Sequence, residues 1–301
     1  MNAMIAYATH QIVKKFANPA SGEVDGIWFN KVITILNYRL KDEYQKDMKL
    51  PHSWYFWGNK IEPKLMPPQL VLDTHDEDGG KSRFHWDGGP PDEPHLNDRK
   101  AIRSILDSLY SRFPMTPEGK RAILDTNYDY APFPFQKAYA VFRTDANEVV
   151  DIQLDALRKG IIRTDLNNAM KIFPYANFPD LQVPATTIKI LGDALLANGR
   201  DRPAIIITRD FWEAFCKRLR ILKGIGHENV PEHVVAYWKK DAIDHLEKYE
   251  MKLKKDVKSI LDEAPMSQIT SNPILHAFLN PDDWGAGTEE SSTVIDHQAY
   301  P

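Results

Sequence analysis

Cysteine is almost missing from this chain: Cys216 is the one thiol in 301 residues. That excludes an internal disulfide framework and any zinc site built on several cysteines, and it fits a reducing compartment. A lone cysteine among helix-forming residues is expected to be buried and inert. Long apolar runs are missing too. No stretch approaches the roughly 20 residues that a membrane helix requires. The N-terminus, MNAMIAYATHQIVKK, lacks the basic, apolar, small-residue order of a secretion signal. The expectation is a cytoplasmic protein with no membrane segment. Charge of one sign is not in excess: a formal net charge of −4 argues against a surface that is one nucleic-acid-binding field, although it allows a local basic patch. There is no Gly-x-Ser-x-Gly elbow, no local signature marking Cys216 as a nucleophile, no internal repeat, and no implied cofactor.

What remains, 43% hydrophobic and 27% charged residues, is the composition of a folded protein long enough for two domains. From Asp25 to about Met48 the residues Ile27, Val32, Ile33, Leu36, Leu40 and Tyr44 recur at three- and four-residue intervals, which predicts an amphipathic helix. The aromatic run Trp54-Tyr55-Phe56-Trp57 reads as a short core element before a bend rich in proline. Gln69–Thr74 and Arg83–Trp86 read as two strands paired across the turn residues Asp78, Gly79 and Gly80. A second helix starts near Asn97, with Asn97 or Asp98 as its cap, and Thr116-Pro117-Glu118 opens a shorter one.

The proline-aromatic run APFPF marks the domain junction. Beyond it, helical patterns occupy about 136–143, 145–159, 165–173 and 184–197, and Ile205–Ile207 read as a short strand. From Pro231 to Ala264 a stripe including Val235, Trp238, Ala242, Leu246, Tyr249, Leu253, Val257 and Ile260 predicts one helix about 50 Å long. The fold class expected is mainly α. A winged-helix-like domain with an acidic hairpin spans 1–130, a helical domain ending in the long helix spans 131–264, and a disordered tail spans 265–301.

The segment His75–Gly89, HDEDGGKSRFHWDGG, invites three chemistries. A phosphate-binding loop needs a glycine five residues before Gly-Lys-Ser and a helix directly after it. Position 75 is histidine, and Arg83–Trp86 reads as a strand. A metal-dependent hydrolase or nuclease would draw on His75, His85, Asp87 and His95, donors of the right type but without a helical ligand spacing. Glu62-Pro63-Lys64 would serve a carboxylate–lysine nuclease, except that proline spoils the strand. The third reading, a hairpin tip, is favoured. Between Asp73 and Asp98 eight acidic residues face only Lys81 and Arg83, a field that repels a duplex backbone and suits a protein surface. Candidate partner-binding residues are therefore Asp76, Glu77 and Asp78 at the tip, Trp54 and Trp57, and Trp238, Leu246 and Tyr249 on the long helix. The candidate for nucleic-acid contact is Lys217, Arg218, Arg220 and Lys223 beside Trp212 and Phe215, which is more often the pattern of an ordinary amphipathic helix.

The segment Ile27 to Met66, with WFNKVITILNYRL followed by LPHSWYFWGNKIEP, resembles the core of the Panacea antitoxin domain, in which a helix leads into an aromatic stretch ending near a glycine. Family members continue Gly-Pro-Val where this chain has Gly58-Asn59-Lys60. The resemblance covers under a fifth of the chain and implies an α-rich domain that docks or neutralises a partner protein. A winged-helix domain joined to helices also looks like accessory subunits of chromosome-maintenance-type ATPase complexes, an analogy of architecture. The function expected is thus a non-enzymatic partner-binding subunit or antitoxin-like protein of a prokaryotic-type assembly or defence complex, with nucleic-acid binding and metal-dependent hydrolysis as alternatives.

Overall fold

The computed structural model describes residues 2–75, 81–147, 156–263 and 272–279. In chain order the elements are α1 (Ala3–Phe16), β1 (Val24–Asp25), α2 (Gly26–Tyr44), β2 (His52–Tyr55), β3 (Gly58–Ile61), β4 (Leu70–His75) and β5 (Lys81–Trp86), then α3 (Leu96–Arg112), α4 (Pro117–Tyr128), α5 (Pro134–Asn147), α6 (Ala156–Lys171), α7 (Gln182–Ala197), α8 (Asp201–Leu219), β6 (His227–Glu228), α9 (Glu232–Glu263) and α10 (Pro273–Leu279). The protein is mainly helical, with two small antiparallel three-stranded sheets of order β1-β5-β4 and β3-β2-β6. Contacts group the chain into two compact units, residues 1–141 with 212–244, and residues 142–211 with 245–301.

The first unit is organised around α2. Asp25 caps this helix, its carboxylate accepting from the Ile27 and Trp28 amides at 2.9 and 3.3 Å, the role expected of aspartate at that position. Every residue from Trp28 to Asn37 is buried, so this stretch of α2 is enclosed on all sides. Its apolar residues belong to one core with Ile12 and Phe16 of α1, Phe84 of β5, and Ile102, Ile105 and Leu109 of α3. Phe29 stacks on Phe84 with ring centroids 4.5 Å apart.

An enclosed helix must also satisfy its polar side chains, because a buried group without a partner costs about 1–3 kcal/mol. On α2 the polar residues Asn30, Thr34, Tyr38 and Lys41 form a stripe at steps of four, four and three. The stripe fastens to the sheet β3-β2-β6. Asn30 accepts from the Ile61 amide at 2.9 Å, and Lys31 donates to the Asn59 carbonyl at 2.5 Å. Lys41 pairs with Glu228 at 2.7 Å. Asn127 of α4 locks the same seam, accepting from the Asn59 amide at 2.9 Å and donating to Thr34 Oγ1 at 3.2 Å. Gly58 sits where these groups converge, with φ +87°. A Cβ there would run into Asn127 Oδ1 and crowd Lys31 Nζ, so only glycine allows the hairpin to close on the helix.

In the second unit α6 packs on α7, where Gly192 admits Leu166. Arg163 forks onto Asp193 at 2.6 and 2.8 Å, and Leu253, Val257 and Ile260 of α9 are buried.

Several expectations change. The aromatic run is the β2–β3 hairpin, and Ile205–Ile207 lie inside α8, where Ala204, Thr208, Phe211, Phe215 and Leu219 continue a buried helical stripe past three β-branched residues. The cap of α3 is His95, whose ring accepts from the Asn97 amide at 3.4 Å. Of the tail, residues 265–271 and 280–301 lie outside the described residues. Pro273–Leu279, expected to be disordered, form α10 with Leu275 and Phe278 buried.

Gly58→Ala should lower the stability of the first unit by about 2–4 kcal/mol in urea unfolding, because strain and collision add. Gly22 also has positive φ, +72°, but open space around it, so Gly22→Ala should cost only about 1 kcal/mol. Equal losses would contradict the packing assigned to Gly58.

Candidate functional site

The turn joining β2 to β3 is two residues long, Phe56–Trp57. It is fixed from behind: the Phe56 carbonyl accepts from the Trp212 indole at 3.0 Å and from the Tyr128 hydroxyl at 3.5 Å. Trp212 is itself immobilised, stacked on Tyr139 at 4.6 Å and against Phe215 at 5.4 Å. The next residue projects outward. Trp57 is 43% exposed, an aromatic side chain on a turn held rigid by a buried cluster.

Beside Trp57 lies a cavity of about 310 Å³ at the start of α2. Tyr55, Trp57 and Ile27 give it an apolar wall, and Lys31, Lys60 and Lys120 give it three ammonium groups against the single carboxylate of Asp25. Asp25 caps α2 and pairs with Lys120 at 2.8 Å. Lys31, 2% exposed, stands at the inner side through its bond to Asn59, while Lys60 is exposed with its ammonium 5.7 Å from the Tyr55 ring centroid. Burial raises the Tyr55 hydroxyl above its ordinary pKa, so the wall stays neutral and the cavity's charge is set by the lysines and Asp25. A larger groove of about 860 Å³ shares Asp25 and Lys120 with this cavity and continues between α1, α3 and α4, lined by Trp28, Tyr110 and Met115.

Behind the hairpin a buried polar relay fixes a tautomer. His52 Nδ1 lies 3.0 Å from the Leu50 carbonyl, which can only accept, so that nitrogen carries the proton and Nε2 is the acceptor. Tyr38 therefore donates to His52 Nε2 at 3.2 Å and accepts from Asn59 Nδ2 at 2.9 Å. Burial pushes the Tyr38 hydroxyl up to about 12. Burial also lowers the His52 pKa, against the opposing pull of the Leu50 carbonyl and Glu228.

The residues nominated from sequence fall in different places. Trp54 is buried at 2%, part of the hairpin's inner face, while Trp57 is at the surface. Asp76, Glu77 and Asp78 lie outside the described residues. Trp238 and Tyr249 are buried and Leu246 is half-buried, so the stripe of α9 packs inward. Lys217 and Arg220 both pair with Asp241 at 3.0 Å, and the Arg220 guanidinium lies over the rings of Tyr55 and Trp238 at 5.3 and 4.8 Å. Arg218 is half-buried, and Lys223 is exposed. The basic helix thus spends two of its four cations inside its own unit.

Of the metal set, His85 pairs with Asp73 at 2.7 Å across the sheet, His95 caps α3, Asp87 is exposed, and the side chain of His75 lies outside the described residues. Among the described residues no three potential ligands gather. Residues after Gly80 form β5, not the helix that a phosphate loop needs. The acidic stretch is partly neutralised, Asp98 by Lys46 and Glu93 by Arg99. No helix among the described residues is long and apolar enough to cross a membrane. Sequence reasoning missed Lys31, Lys60 and Lys120, which are scattered over 90 positions; a lysine inside an apolar helical run was the one visible signal. No protein-family model, curated protein or solved structure matches the chain.

The relay has a pH signature. Since the folded pKa of His52 is below its unfolded value, the unfolded chain takes up the proton first, and stability present above about pH 6.5 is lost as pH falls. His10 and His227 are depressed by burial as well and add to the same fall. Urea midpoints measured from about pH 7.5 down to 5 should therefore decline less steeply for His52→Gln, which keeps an acceptor without the titration. An unchanged slope would remove His52 from the pH response.

Proposed function

We propose that this protein is a non-enzymatic binding protein whose first unit docks a partner polypeptide through the rim formed by Trp57 and the cavity beside it. The observation that carries the reading is a solvent-exposed tryptophan on a turn fastened to a buried aromatic cluster. An aromatic anchor held in place before binding loses little conformational freedom on contact, which is how interface hot spots gain affinity. The antitoxin-like reading draws on the same residues, since the resemblance of 27–66 to the Panacea antitoxin domain covers α2, the hairpin and Gly58.

The winged-helix-like reading draws support from the order α1, β1, α2 followed by the hairpin β4–β5, with β1 pairing beside β5. In that scheme β2–β3 and the 3-10 turn Pro63–Leu65 occupy the position of a third helix. The partner surface is then presented where a nucleic-acid reader would present its recognition helix, and an accessory subunit of a larger complex is one setting for such a domain.

A photo-crosslinking benzoylphenylalanine placed at Trp57 in protein expressed in its native cells should yield one discrete cross-linked polypeptide. The same group at Tyr44, exposed at the far end of α2, should not. Identical products from both positions, or none from Trp57, would contradict the docking role.

A further inference from the structure

We infer that the partner contributes an extended acidic segment, with a carboxylate side chain entering the small cavity and a neighbouring apolar side chain lying in the larger groove. This deepens the docking reading and rests on it. The cavity's three lysines and one aspartate leave it basic, and its remaining wall, Ile27, Tyr55 and Trp57, is apolar. That combination suits an aspartate or glutamate side chain, whose short apolar stem meets the wall while its single charge meets the ammonium groups. A phosphate carries up to two charges and no stem, and it would meet the Asp25 carboxylate without compensation from the apolar side.

The Asp25–Lys120 pair lines both the cavity and the larger groove, so the two are neighbours along one surface of the first unit. In the groove Tyr110 and Met115 are exposed at 45% and 43%. Lys14 and Lys15 line its other margin, and Lys15 is engaged by Asp107 at 2.6 Å. A strand-like segment advances about 3.3 Å per residue, so an acid and an apolar residue separated by a few positions reach the two sites together. Glu23 lines the groove as well and pairs with Arg83, so the basic excess lies at the cavity and the groove supplies the apolar contact.

The test is selection of a random dodecapeptide phage library on the full chain, followed by affinity measurements with the enriched peptides. Enriched peptides should carry Asp or Glu within a few positions of Leu, Phe or Trp. Replacing that acid by its amide, or using the Lys60→Glu protein, should weaken binding by about tenfold. Met115→Asp should weaken it as well, and added salt should reduce it. Both variants change exposed residues, and unaltered thermal melts verify that they fold. Enrichment of peptides without acids, binding indifferent to Lys60→Glu, no enrichment at all, or stronger competition by inorganic phosphate or duplex DNA than by acidic peptide would each overturn the inference. If the cross-link from Trp57 survives in the Lys60→Glu, Met115→Asp protein, the docking surface stands and the acidic segment falls. Loss of the cross-link together with loss of peptide binding, in a double variant whose thermal melt is unaltered, is the result expected.

Discussion

The first unit depends on one requirement: α2 is buried on every side from Trp28 to Asn37, so the polar residues along it must find their partners inside the protein. Asn30, Lys31, Thr34 and Lys41 find them on β3, on Asn127 and on β6. Each such bond contributes only about 1 kcal/mol net, yet leaving one unmade costs more than making it gains. The seam therefore acts less as an energy source than as a register. The observed arrangement of the hairpin on the helix satisfies most of these donors and acceptors, with Asn37 Nδ2 and Asn59 Oδ1 the exceptions beside it, and a displaced one strands several more in the core. Gly58 belongs to the same constraint, since a side chain there would collide with Asn127 Oδ1 and crowd Lys31 Nζ.

That register is what places the candidate site. With β3 fixed to α2 and the Phe56 carbonyl held by Trp212 and Tyr128, the Phe56–Trp57 turn has little freedom. Trp57 is thereby delivered to the surface beside the cavity at the start of α2. Lys31 completes the seam through its ammonium and also lines the adjoining cavity, together with Lys60 and Lys120. Its bond to the Asn59 carbonyl accounts for an amino group inside an otherwise apolar helical run. Elsewhere the cations are spent internally, as Lys217 and Arg220 are on Asp241, so basic composition on a helix does not by itself make a binding face.

The sequence made α2 legible because its apolar residues keep the helical period, and α4 because Thr116-Pro117 is a strong start signal. The hairpin was not legible. His52, Ser53 and Trp54 are all buried, so the strand shows no alternation, and four-residue strands give period-based reasoning too little to work on. β1 and β6 are two residues each and exist through their pairing alone. The pattern Ile5, Ala8, Ile12, Phe16 of α1 was visible at helical spacing but lies in a segment naturally read for export signals. Of the candidate site, Trp57 could be nominated but not distinguished from Trp54, because adjacent aromatics differ in burial only once the turn is known. Lys31, Lys60 and Lys120 come from three elements, and nothing short of the fold brings them together. The burial of Cys216, by contrast, was readable and holds.

The central claim is that the α2–hairpin seam is the register of the first unit, and amide hydrogen exchange reads it directly. The Asn59 and Ile61 amides donate to the side chains of Asn127 and Asn30, not to a neighbouring strand. If the seam is integral to the fold, both should exchange as slowly as the amides in the middle of α2, opening only when the whole unit unfolds. Exchange at the rate of exposed turn amides, with α2 still protected, would show that the hairpin is an independently opening flap and that the seam does not set the structure.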